Sequence, residues 1–337
     1  MQPQLHTHLA PLTTFQIGGE ASYFFAVDSI ASLHDAVQFA HDEKADITVI
    51  GGGSNVLVSD VGVSGVVLHN QLHGISFEPV SEHSTRVAAA AGETFDELVA
   101  ACVLRGLGGL ENLSHIPGSV GAAPIQNIGA YGVEVADVIE SVTVFNPKTM
   151  TEEVLSNAAC QFGYRDSYFK TESGKSLIVT AVAFLLDTQS VPNITYRDLR
   201  ERFATTTPTI AEVREAVIDI RAKKFPDWHT VGTAGSFFKN PIISRTHYEK
   251  LLQEYPEMPM YEISDSMVKV PLAWILDKVC HRKGFRDGMV GHYEAQPLVI
   301  INHGGATAAE VIRFANATAD AVKEKTQIDM EWEVTRL

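Results

Sequence analysis

Four groups of residues in this 337-residue chain combine types and spacings that chemistry uses. Gly51-Gly52-Gly53-Ser54-Asn55 follows the short apolar run Ile47–Ile50. It is not a dinucleotide turn of the G-x-G-x-x-G kind, because Val56 holds the third glycine position, and no Walker-type Lys-Ser/Thr follows. Two glycines would make a plain turn. Three before Ser-Asn offer successive main-chain N–H groups to a pyrophosphate, with hydroxyl and amide donors beside them. The second group, Ile116 to Gly132, holds four glycines and two prolines and carries no charge. It is too broken for a regular helix or central strand and too apolar for a solvated loop. Its small residues allow close approach to something flat. A tight crossover buried between layers would read the same way.

Arg165, in Phe162-Gly163-Tyr164-Arg165-Asp166-Ser167, lies between aromatic residues, and a half-buried guanidinium fork there suits a carboxylate. An ordinary surface turn has the same composition. Ser236, in Gly232-Thr233-Ala234-Gly235-Ser236-Phe237-Phe238-Lys239-Asn240-Pro241, is no hydrolase nucleophile, because Ala234 and Phe238 replace the glycines of G-x-S-x-G. Glu331 and Glu333 in the tail Met330–Val334 share one face of an alternating strand, where both also read as solvated edge charges.

These residues need elements to hold them. Ala21–Val27 reads as a strand, followed by an amphipathic helix from about Ser29 to Glu43 and a second strand, Ile47–Ile50. Val66–Leu68, Arg86–Ala91 and Ser141–Phe145 read as strands of a second α+β unit, and Leu177–Leu186 as a strongly apolar strand. Capping boxes start helices at Thr94-Phe95-Asp96-Glu97, Thr209-Ile210-Ala211-Glu212 and Thr307-Ala308-Ala309-Glu310. Leu272–His281 reads as an amphipathic helix and Leu298–Asn302 as a buried strand.

Composition narrows the partners. Hydrophobic residues make up 45% and the formal net charge is −15, which disfavours a nucleic-acid or anionic-membrane surface. Three well-separated cysteines with no metal-ligand spacing imply reduced thiols and no metal site. With no signal peptide or membrane-length apolar span, a cytoplasmic protein is expected.

The order of residues in these blocks resembles the UDP-N-acetylenolpyruvoylglucosamine reductases, FAD enzymes that complete UDP-N-acetylmuramate for peptidoglycan. The resemblance implies an α+β fold: an FAD-binding pair of subdomains of the vanillyl-alcohol-oxidase / p-cresol methylhydroxylase type, plus a C-terminal α+β substrate domain. It divides the chain into 1–66 with 328–337 returning, 67–221, and 222–327. It implies non-covalent FAD held by Gly51, Gly52, Gly53, Ser54 and Asn55 and by Ile116, Pro117, Gly118, Gly121, Ala122, Ile125, Ile128 and Gly129. NADPH is the implied co-substrate and UDP-N-acetylglucosamine enolpyruvate the substrate, with a monomer and no nucleic-acid or membrane partner expected.

In the implied reaction NADPH passes a hydride to FAD and leaves, and the vinyl carbon of the substrate then accepts hydride. By the same resemblance Arg165 stabilises the enolate-like carboxylate, Ser236 donates a proton to the adjacent carbon, and Glu333, chosen over Glu331, is the third catalytic group. Tyr196 matches a mobile substrate-covering tyrosine, though a packing tyrosine at a helix start reads nearly as well. Lys224, Asn240, Tyr261 and Gln296 match substrate contacts. Two residues depart from the family pattern: Trp332 stands where proline is frequent, and Thr13-Thr14-Phe15 replaces Asn-Thr-Phe. A flavin oxidase would share the Gly51–Asn55 cradle without the Ser236 and Glu333 blocks; a non-catalytic nucleotide-sugar binding protein is the other alternative.

Overall fold

Alternating burial and parallel pairing build the first sheet. In the computed structural model, which describes residues 1–337, Glu20–Val27 and Ile47–Ile50 both pair in parallel with Val63–Asn70, and Gln4–His8 completes the order at the edge beyond Glu20–Val27. The helix Ile30–Glu43 begins at Ser29, whose side chain accepts the Ser32 N–H in a reciprocal capping box. Its Leu33, Ala36, Val37 and Ala40 recur at helical spacing and pack with Phe25, Val27, Val66 and Leu68. Val66–Leu68 therefore belongs to this sheet and not to the second one, as its sequence position suggested. A parallel partner is joined through a long crossover, so proximity in the sequence is a poor guide to it.

The second sheet is antiparallel, in the order Thr151–Ser156, Ile139–Asn146, Ile178–Asp187, Ser84–Ala90, Ile75–Pro79. Val87, Ala89, Val142, Val144, Val182 and Phe184 face a core shared with Phe95, Leu98 and Val99 of the helix Phe95–Leu104. Thr94 does precede that helix, but its side chain makes no capping hydrogen bond. The strand-like bridge of Thr94 with Ser119, and the Phe95 N–H donated to the Gly118 carbonyl at 3.0 Å, replace the local box with a tertiary contact.

By contacts the chain divides into two compact units. The first comprises Met1–Thr7, Ala21–Gly52 and Val63–Ala222; the second comprises His8–Glu20, Gly53–Gly62 and Lys223–Leu337. The boundary near residue 222 lies at the end of the helix Ile210–Lys224, which the Thr209–Glu212 box starts as expected.

In the second unit, antiparallel strands run in the order Gly232–Ser236, Val299–Asn302, Val290–His292, Arg286–Asp287. The helix Ala308–Thr326, with its Thr307–Glu310 capping box formed, buries Val311, Phe314, Ala315 and Val322 in the same core. The expected helix over Leu272–His281 is shorter: a turn at Leu272–Trp274 widens into a π-helical stretch at Ile275–Val279. The tail also differs. Its strand is Thr335–Arg336, parallel to Val56–Leu57, while within Met330–Val334 only Trp332 forms a bridge, to Phe238. The tail thus returns to the segment around residue 56, but both pieces belong to the second unit rather than to an N-terminal subdomain.

Candidate functional site

Glycine is required where main chains meet. Within the first unit, a Cβ added to Gly52 would lie 2.7 Å from the Gly118 Cα and 3.2 Å from the Ser119 nitrogen, and one on Gly51 would overlap the Ser119 hydroxyl. The end of the strand Ile47–Ile50 and the Ile116–Gly132 segment, both singled out in the sequence, are therefore appressed backbone to backbone. The segment is pinned from its other side too: Val120 and Gly121 donate N–H groups to the Glu93 and Ala91 carbonyls at 2.8 and 2.9 Å, and a Cβ on Gly121 would meet that of Ala91 at 2.6 Å. Bare main chain over this length fits a group with a pyrophosphate and a flat ring system, as FAD has. Of the remaining expected contacts, Ile125 stands 37% exposed within the short helix Ala123–Gln126, and Ile116 and Ile128 pack partly into the second-sheet core.

The start of this segment is fixed by charge. His115, at φ 59°, donates its N–H to Asp96 and accepts Arg221 Nε–H at 3.0 Å, while Arg214 grips the same Asp96 carboxylate through two nitrogens at 2.6 and 3.0 Å. Burial works to raise the Asp96 pKa, but the bonds from Arg214 and His115 outweigh it and hold the carboxyl below its ordinary range. Burial pushes the Tyr131 phenol up to about 12, against the Arg221 charge beside it. Asp96 stands out in the sequence only as part of the Thr94–Glu97 box, and His115, Arg214 and Arg221 carry no motif, so their meeting was not legible there.

Arg165 sits in the turn closed by reciprocal Gly163–Asp166 main-chain bonds, with φ 52°, a left-handed conformation that a branched or bulky residue seldom takes. Its Nη1 and Nη2 donate to the Asn127 and Gly129 carbonyls at 3.3 and 2.6 Å. Its own carbonyl accepts Lys170 Nζ at 2.7 Å. The expected half-burial of the guanidinium is what the structure has. Tyr196, at the N-cap of the helix Arg197–Arg202, packs its ring edge-on to Tyr131 at 5.2 Å.

In the second unit, the remaining glycine of the triplet, Gly53, takes φ 60°, and a Cβ there would overlap the Leu12 carbonyl. Its own carbonyl accepts the Thr14 N–H at 3.1 Å. Asn55 uses its side-chain amide differently from the expectation of a free anion donor: Nδ2 donates to the Glu333 carbonyl at 3.0 Å. Ser236 ends the strand Gly232–Ser236 just after an irregularity that carries Gly235 at φ 74°. Such a bulge re-aims the side chain that follows it. Phe237, the next residue, donates its N–H to Leu298 and accepts the Glu333 N–H at 2.9 Å, so the Glu333 main chain is bonded to the residue that follows Ser236.

Glu331 is spoken for: its carboxylate pairs with Lys239 Nζ at 2.5 Å and its carbonyl accepts the Lys239 N–H. Between the two glutamates, the Trp332 ring lies 4.6 Å from that of Phe237. The flanking main-chain bonds run through Glu331 and Glu333 and not through Trp332, so a proline with no N–H fits there equally well. Asn240 accepts the Leu272 N–H on Oδ1 at 2.9 Å, and Gln296 closes a turn by accepting the Val299 N–H on its carbonyl. Tyr261, 51% exposed, pairs with Lys269 across a short sheet, and Lys224 closes the helix that starts at Ile210. A hollow of about 360 Å³ lined by Thr13, Thr14, Gln16, Trp228 and His229 contains none of the expected catalytic residues. No group of three His, Cys, Asp or Glu side chains is placed to hold a metal ion, and no helix is long and apolar enough to cross a membrane.

Comparison with known proteins assigns families to these two parts of the chain. Residues 21–154 match the model of an FAD binding domain, and residues 227–337 match that of the UDP-N-acetylenolpyruvoylglucosamine reductase C-terminal domain. The chain is 40% identical over 338 residues to the UDP-N-acetylenolpyruvoylglucosamine reductase of Neisseria meningitidis serogroup A, covering 99% of this chain and 97% of that one. It is 39% identical to the Pseudomonas aeruginosa reductase, covering 98% of each. The crystal structure of the Thermus caldophilus enzyme of the same description superposes with a TM-score of 0.69 at 26% identity, over 100% of this chain and 99% of that one.

Proposed function

The chain belongs to the UDP-N-acetylenolpyruvoylglucosamine reductase family, and on that premise we propose how its own residues carry the reaction. It is an FAD-dependent oxidoreductase of peptidoglycan precursor synthesis, and its substrate is UDP-N-acetylglucosamine enolpyruvate, reduced to UDP-N-acetylmuramate at the expense of NADPH. The observation that carries the reading is the meeting of Gly51-Gly52 with Gly118-Ser119, where a side chain on either glycine would collide. Bound FAD would supply the hydride chemistry between NADPH and the vinyl carbon.

In this reading Gly51, Gly52, Gly53, Ser54 and Asn55, with Ile116, Pro117, Gly118, Gly121, Ala122, Ile125, Ile128 and Gly129, hold the cofactor. The Arg165 guanidinium binds the substrate carboxylate and stabilises the negative charge that develops on it as hydride adds to the vinyl carbon. Two of its nitrogens are oriented by the Asn127 and Gly129 carbonyls, so the fork is aimed before substrate arrives. Ser236 Oγ gives a proton to the carbon adjacent to the carboxylate. A hydroxyl is a weak acid, but an enolate is a strong base, and a held donor suffices. Glu333 helps polarise the substrate carboxylate or relays a proton in this reading. What supports Glu333 over Glu331 is its register: its N–H bonds the carbonyl of Phe237, the residue after Ser236, whereas Glu331 lies opposite Lys239. Tyr196, Lys224, Asn240, Tyr261 and Gln296 contact the sugar nucleotide in this reading. The enzyme acts in the cytoplasm, as a monomer.

The test is an anaerobic titration of the purified protein with NADPH, followed by addition of the enolpyruvyl sugar nucleotide. Bleaching of a yellow protein by NADPH and return of the colour with the nucleotide support the reading. A colourless protein, or a reduced flavin that only oxygen reoxidises, refutes it.

A further inference from the structure

Asn127 is fully buried, and its backbone lies in the left-handed region at φ 44°. Its side chain bonds two other stretches of the first unit, one around Glu134 and Ala136 and one at Gly163. Nδ2 donates to Glu134 Oε2 at 2.8 Å and to the Gly163 carbonyl at 2.9 Å, and Oδ1 accepts the Ala136 N–H at 3.2 Å. Gly163 opens the turn that presents Arg165, and the Asn127 carbonyl takes the Arg165 Nη1–H. The same residue therefore holds that turn twice, by its stem through the side chain and by its guanidinium through the main chain.

Asparagine is the side-chain-bearing residue that enters the left-handed region most readily, and its amide offers two donors and an acceptor at once. No other residue type supplies both properties. Arg165 itself has φ 52°, a conformation that needs support from its surroundings. We propose that Asn127 is a positioning residue: it fixes the Gly163–Asp166 turn so that the Arg165 guanidinium meets the substrate carboxylate. The inference rests on the role of Arg165 given above.

The holoenzyme with Asn127→Gly tests it, because glycine keeps the left-handed backbone and the carbonyl and removes only the amide. FAD content and the rate of reduction by NADPH are expected to stay within about twofold of the parent. Reoxidation by the enolpyruvyl nucleotide is expected to slow about a hundredfold, the effect of roughly an ångström of misplacement. Calorimetry adds a readout independent of turnover. The preference for the enolpyruvyl nucleotide over UDP-N-acetylglucosamine, which lacks the carboxylate, should fall about tenfold while binding of UDP-N-acetylglucosamine itself holds.

Equal slowing of both half-reactions, or an unchanged preference, overturns the proposal. If Asn127→Gly does not retain FAD, Asn127→Asp repeats the measurements, since its carboxylate still accepts the Ala136 N–H while both donors are lost. Loss of FAD in both variants also overturns it, because Asn127 would then serve the cofactor segment as a whole. Arg165→Ala separates the two levels. No change of preference in Arg165→Ala refutes the role of Arg165; a change there with none in Asn127→Gly refutes only the positioning role.

Discussion

Lowering the pH from 7.5 to 5 should destabilise the second unit through one buried imidazole. His292 is 2% exposed, with Nδ1 at 2.5 Å from the Pro297 carbonyl, Nε2 at 3.0 Å from Thr318 Oγ1 and the Phe314 ring 4.9 Å away. Burial pushes its pKa down from 6.5 to about 4; the Pro297 carbonyl works the other way, and the Arg282 charge adds to the lowering. The folded state thus binds its proton later than the unfolded chain does. The contribution is fully present above the unfolded pKa of about 6.5 and is lost as pH falls towards 4. The whole gap between the two values is worth about 3 kcal/mol, and about 2 kcal/mol of it is gone by pH 5. Trp228, Trp274 and Trp332 all lie in the same unit as His292, so urea unfolding followed by tryptophan fluorescence reports on it. His292→Asn should be less stable at pH 7.5 but lose about 2 kcal/mol less than the parent on going to pH 5. Parallel stability curves for the two proteins would show that the imidazole stays neutral, or charges equally, in both states.

Other residues yield shorter predictions. Gly52→Ala places a methyl group against the Gly118 backbone, and overpacking of about 1–3 kcal/mol should appear as loss of FAD from the purified protein, measured by absorbance. Ser236→Ala should leave reduction of the flavin by NADPH nearly intact and slow enolpyruvyl reduction by about two to four orders of magnitude in stopped-flow traces; equal loss in both steps removes the proton-donor role. Asn55→Ala deletes the bond to the Glu333 carbonyl, about 1 kcal/mol, and should lower turnover with enolpyruvyl nucleotide more than it lowers the melting temperature of the protein.

What was legible in the sequence is what depends on neighbours along the chain. The boxes at Thr209 and Thr307 and the strand Ile47–Ile50 are set by residues within four positions of each other, and all three form as read. Thr94 has the same local pattern, yet Gly118 and Ser119 reach its backbone first and no box forms. Val66–Leu68 was assigned to the wrong sheet because apolar runs state that a strand is buried but not against what. The tail strand begins at Thr335 because Asn55 and Leu57, far back in the chain, supply its hydrogen bonds. At the site, Gly51, Gly52 and Gly118 were readable from composition and order. Asn127 was not, since its importance comes from Glu134, Ala136 and Gly163, which no spacing rule connects to it.

The bond from Asn55 to the Glu333 carbonyl joins the end of the glycine loop to the tail segment that carries the carboxylate. Thr335 N–H returns the contact to the Asn55 carbonyl, so the link is made twice. Thermodynamic reciprocity then makes the two ends answer to each other: a ligand that steadies the loop narrows the range of the glutamate, and a change in the final residues is felt as altered retention of the dinucleotide. Leu337 extends that linkage, since its N–H and carbonyl bond Leu57 and Ser59, so a substitution that disturbs the tail strand reaches the loop through several bonds at once.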